Sequence, residues 1–137
     1  MNPSKEKYYR ALFAVSAVYD VMLGTAFTFF GVPIFNALGI AEKLPAFAGY
    51  ITLPGAFVIV IGIACALIAR GDMRRNADLI LICALYKFAY AATVIYYWCT
   101  AALPHVTFGI FAIADTIFFA LMMESFFTVR KARPEAT

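Results

Sequence analysis

Three charged side chains stand inside long apolar runs of this chain: Asp20, Lys87 and Asp115. A carboxylate in such a setting can relay a proton or hold a cation. A lysine there can do the reverse, or neutralise the carboxylate. At the helical rise of about 1.5 Å per residue, Asp20 lies roughly 15 Å beyond Arg10. Lys87 lies roughly 14 Å beyond Asp78, and Asp115 roughly 16 Å beyond Pro104. All three therefore fall at the same mid-depth of an apolar layer. Each would cost about 2.5–3.5 kcal/mol facing lipid, so the three should face one another. Two aspartates and one lysine leave one negative charge uncompensated, which a proton on the third group would relieve. The cluster reads in two ways: as an interhelical polar clamp, or as a proton-relay or ligand site.

The neighbours at helical spacing extend these positions. Ser16, Asp20 and Gly24 recur at i, i+4 and i+8, a small and polar stripe suited to close helix contact. Gly55, Gly62 and Ala66 form a similar stripe. Cys83, Tyr90 and Ala91 share the face of Lys87, and Phe108, Phe111, Phe119 and Met122 that of Asp115. An interior of aromatic and sulfur side chains suits an apolar ring such as a quinone, a sterol or another aromatic compound. Glu124, nine residues after Asp115 and so on the opposite face, sits close enough to Arg130 to reach water or Arg10, a structural place.

Other chemistry is not indicated. Cys65, Cys83 and Cys99 form no CxxC pair, and all three sit in apolar segments. His105, the single histidine, makes with Cys99 a poor metal site, and no metal is expected. No phosphate-binding loop, nucleophile elbow or zinc-protease motif occurs, so no catalytic residue is assigned and an enzyme is the less expected reading. A net charge of +3 interrupted by apolar runs gives no case for nucleic acid.

What must position the cluster follows from composition. The 137 residues are 64% hydrophobic and 14% charged, more apolar surface than a soluble domain of this size could hide. A span of about 20 apolar residues crosses the bilayer core. Four segments qualify: residues 11–30, 49–69, 79–103 and 106–129. The expected fold is therefore all-α: an integral membrane four-helix bundle formed by one domain over residues 1–137. Lys5, Lys7, Arg10, Arg70, Arg74, Arg75, Arg130, Lys131 and Arg133 fall on one side of four spans, and only Lys43 on the other. By the positive-inside rule both termini are expected on the cytoplasmic side. Asp20 interrupts the first span and no cleavage site follows it, so this span is expected to be an uncleaved helix. Tyr96, Tyr97 and Trp98 form an aromatic belt at the outer face, and Tyr8 and Tyr9 at the inner one. Pro104-His105 predicts a tight turn between spans three and four. Ile34, Phe35, Leu38 and Ile40 predict a short segment lying in the outer interface.

The chain resembles the small bacterial four-helix membrane proteins of the BphX-like group, loosely akin to DoxX-like proteins. The resemblance covers nearly all of it. It rests on Arg10, Ala17-Val18-Tyr19 and Gly24, Pro33 and Phe35, and Ala69-Arg70-Gly71-Asp72 with Arg74. Lys87, Leu103-Pro104 and Asp115 complete it. Ala114, Phe118-Phe119 and Tyr86 depart from the group's asparagine, tryptophans and glycine. The resemblance implies a four-helix membrane bundle and gives weight to Lys87 and Asp115. Some DoxX-like relatives are linked to quinone redox chemistry. The expected function is a non-catalytic membrane module: an accessory subunit of a larger membrane complex, or a binder of a small apolar ligand such as a quinone, lipid or aromatic. The alternatives are an oligomeric proton-coupled small transporter and the membrane subunit of a quinone-linked oxidoreductase. The expected partners are the lipid bilayer and another membrane protein or a second copy of the chain.

Overall fold

In a computed structural model that describes residues 2–132, the chain is all-helical. Its helices are α1 (Pro3–Ala37), α2 (Gly49–Arg70), α3 (Ala77–Thr100) and α4 (Val106–Lys131), with one 3-10 turn at Ala41–Lys43. All four helices are long and apolar enough to cross a membrane. Arg133 of the basic tally lies outside the described residues.

Local chemistry sets the helix ends. Asn2 caps α1, its Oδ1 accepting from the Ser4 N–H at 3.0 Å, and Pro3 starts the helix where no N–H is required. His105 caps α4 in the same way, its Nδ1 accepting from the Thr107 N–H at 3.2 Å. Gly39, at φ 70°, ends α1 in the left-handed conformation, and the next N–H returns to the Phe35 carbonyl at 3.0 Å.

Two boundaries differ from the sequence expectation. Ile34 and Phe35 do not form a separate interfacial segment but belong to α1, which continues past a kink at Phe30. Pro33 lacks the N–H that would bond residue 29 and crowds that carbonyl, so the helix bends there and then resumes. Helix α3 stops at Thr100 rather than reaching Leu103, because Ala101 is extended and Leu103 precedes a proline that disfavours helical backbone. The turn to α4 therefore runs from Ala101 to His105.

The helices form two antiparallel hairpins, α1–α2 and α3–α4, tightly packed within each pair and sparsely across it. In the first hairpin the small-residue stripes meet. A Cβ on Gly24 would lie 2.7 Å from the Gly55 carbonyl oxygen, and one on Gly62 would lie 2.9 Å from the Val21 nitrogen. Only glycine permits that approach of backbone to backbone.

Contacts between the N-terminal turns of α1 and the C-terminal turns of α2 and α4 place most of the basic side chains at one end. This is the basic end. Arg10 there pairs with Glu6 at 2.8 Å and donates to the Ala69 carbonyl at 2.8 Å, satisfying an open carbonyl in the last turn of α2. The hydrophobic core lies in this half of the bundle. Phe13, Ile68, Met73, Ile80, Met122 and Val129 are at most 1% exposed. The other end carries Phe47, Tyr50, Tyr96, Tyr97 and Trp98, all more than half exposed. This is the aromatic end.

Candidate functional site

The structure brings Asp20, Lys87 and Asp115 together from α1, α3 and α4. Lys87 is wholly buried and donates to Asp20 Oδ1 at 2.5 Å and to Asp115 Oδ1 at 3.0 Å. The short turn after α3 makes α4 its neighbour, and the ion pairs of Lys87 themselves join α1 and α4 to α3 at mid-height.

The second carboxylate oxygens differ. Asp20 Oδ2 accepts from Ser16 Oγ at 3.3 Å, and Ser16 Oγ accepts in turn from Cys65 Sγ at 3.8 Å. Among the described residues Asp115 Oδ2 has no hydrogen-bond partner, although its side chain is only 5% exposed. Aromatic faces complete the shell around Lys87. Its Nζ lies 4.6 Å from the centre of the Tyr19 ring, 5.2 Å from that of Phe118 and 5.8 Å from that of Tyr86. A desolvated ammonium gains of the order of 2 kcal/mol from such a face, so the lysine is held from every side.

Above the cluster, toward the aromatic end, lies a cavity of about 500 Å³. Asp20 and Asp115 line it and Lys87 does not. Its walls come from all four helices: Leu23, Phe27 and Phe35; Tyr50, Pro54 and Phe57; Tyr86, Ala89, Tyr90 and Thr93; Phe108 and Phe111. The volume is within the usual range of small-molecule sites, and so is the chemistry of an apolar wall with a few convergent polar groups. Tyr90 lies on this wall rather than against Lys87, its hydroxyl 3.5 Å from the Phe108 carbonyl. Phe35 and Phe108 meet edge-on at 6.3 Å near the top.

The remaining singled-out residues fall elsewhere. Glu124 accepts from the Tyr9 hydroxyl at 2.9 Å, and that hydroxyl also lies 3.2 Å from Thr128 Oγ1. Arg10, which with water was one of the two expected partners of Glu124, is occupied by Glu6 and Ala69. Met122 and Cys83 belong to the packed core, so the sulfur side chains are not part of the cavity wall. Phe119 packs on Phe88 at 5.2 Å. Cys99 is exposed and His105 is a helix cap. No group of three or more metal-ligating side chains occurs among the described residues.

Helical-face spacing does not point to Tyr19, Tyr86 or Cys65. Tyr19 and Tyr86 each directly precede a buried charge, about 100° around the helix from it, so face counting separates what the bundle reunites. The repeated tyrosine-then-charge pair was the available signal. Compared with known proteins, the chain matches no family model, no curated protein and no solved structure.

Proposed function

We propose that this chain is a multi-pass protein of the bacterial inner membrane, with both termini in the cytoplasm, that binds a small apolar ring compound without catalysing its conversion. The basic side chains support the orientation. Among the described residues they lie at the end where α1 begins and α2 and α4 finish, except Lys87 at mid-height and Lys43 at the other end. The relationship to the BphX-like group is part of the same proposal.

The observation that carries the binding reading is the cavity. It is large, walled by aromatic rings, and ends on two buried carboxylates. The packed core beneath the cluster favours binding over passage, because it closes the basic half below the ligand. A further membrane protein or a second copy of the chain would cover part of the exposed aromatic surface at the other end.

Two experiments test these statements. Cysteines placed at Glu42 and His105 should react with an impermeant reagent from the periplasmic side. Reaction from the cytoplasmic side alone would reverse the topology. Purified protein in mild detergent should unfold at higher temperature with naphthalene-type or quinone-type compounds. Ligand at a hundred times its Kd stabilises by about 2.7 kcal/mol. Ala89→Trp, which fills the cavity, should remove the effect. Absence of any shift, with no small molecule co-purifying, would refute the binding reading.

A further inference from the structure

The cavity's polar end is not neutral in character, and its wall is not uniform around the bundle. Two carboxylates share one ammonium, and the ammonium is spent on them and on the rings of Tyr19 and Phe118. What the cluster offers the cavity is acceptor capacity and negative charge, above all at the unpartnered Asp115 Oδ2. Burial magnifies that charge, since interactions strengthen as the local dielectric falls. A ring compound bearing only carbonyl oxygens would bring another acceptor to this place. A protonated amine would bring a donor and the missing positive charge, while tyrosine and phenylalanine faces suit a cation as well as a ring.

The wall also has a thin side. Its α1 and α4 members, such as Phe35 and Phe111, are buried or half-buried. Five of its ten α2 and α3 members, Tyr50, Pro54, Phe57, Ala89 and Thr93, are exposed. The exposed members all lie on α2 and α3, so the cavity opens sideways through the gap between those two helices.

Resting on the ligand-binding reading above, we infer that the occupant is a ring-bearing lipophilic amine that enters from the bilayer between α2 and α3 and sets its ammonium against Asp115 and Asp20. Binding would complete a two-plus-two arrangement of charges around which the hairpins close.

The test uses the full chain in phosphatidylcholine nanodiscs, with empty discs as the control for partitioning. The probes are a naphthylethylamine and its neutral isostere, naphthylethanol. The amine should bind about tenfold more tightly, as a charge-assisted contact in a buried site does. That preference should collapse in Asp115→Asn. A diazirine-bearing amine on the unmodified chain should crosslink to α2 and α3 around Phe57 and Ala89, which needs no variant to fold. Equal binding of amine and alcohol would overturn the charge inference while leaving the cavity as a ligand site. Binding of neither probe would overturn both. Crosslinks confined to residues away from the α2–α3 gap would overturn the route of entry.

Discussion

The two halves of the bundle are built by opposite rules. Toward the basic end, side chains from all four helices interlock, and residues such as Ile80, Met122 and Val129 have no exposed surface. Toward the aromatic end the same four helices enclose a cavity of about 500 Å³. The division runs through Lys87. Hydropathy does not explain it, because each helix carries an apolar stretch long enough to cross a membrane. Side-chain volume and pairing do. Close glycine contacts hold α1 to α2 within one hairpin, while between the hairpins nothing of that kind draws the aromatic ends together. Polar convergence at mid-height and dense packing below it join the hairpins, while the upper half keeps open space between them.

The sharpest way to break this division is at its boundary. Lys87→Met leaves two buried carboxylates unpaired and should cost about 3–5 kcal/mol in thermal unfolding. Adding Asp115→Leu should restore part of that loss. Strict additivity of the two changes would show that the residues do not interact. Next in size is a paired comparison across the halves. Ile80→Ala in the packed half should cost about 2–4 kcal/mol. Phe57→Ala, whose side chain is 58% exposed at the cavity mouth, should cost under about 1 kcal/mol. Equal losses would remove the distinction between the halves.

Gly24→Ala tests what holds the first hairpin. The added methyl would meet the Gly55 carbonyl at 2.7 Å, backbone that cannot swing aside, and the cost should be about 1–3 kcal/mol. The smallest effect belongs to Tyr9→Phe. It takes the hydroxyl from Glu124 and Thr128 and should cost about 1 kcal/mol, without changing ligand binding in the opposite half. A loss of binding in Tyr9→Phe would instead show that the halves are coupled.

The legibility of these features in the sequence divides along physical lines. The four helices follow from apolar run length, a one-dimensional property, and the shared depth of Asp20, Lys87 and Asp115 follows from helical rise. The glycine stripes were visible as periodicity. Pro33 was visible too, but its effect was not: a proline can end a helix or bend it, and here Phe35 and its neighbours resume the helix. The partner of Glu124 was missed because Tyr9 and Arg10 are adjacent, and only the rotation of α1 decides which of them faces α4. The cavity was not legible. Spacing tells which face of a helix is turned inward, but how closely two non-adjacent helices approach at each height depends on the summed shapes of both.

The separation of Asp20 from its cation along the chain has a consequence for how the protein is made. Lys87 follows Asp20 by 67 residues, which at ordinary synthesis rates is roughly 3–13 s of translation. For the last part of that interval, the roughly 1–3 s from Arg70 to Lys87, the first hairpin is complete while its aspartate has only Ser16 for polar company. The glycine seam of α1 and α2 must keep the nascent hairpin together until α3 arrives. A defect in the seam would therefore surface first as failed biogenesis and degradation, before any loss of stability could be measured on finished protein.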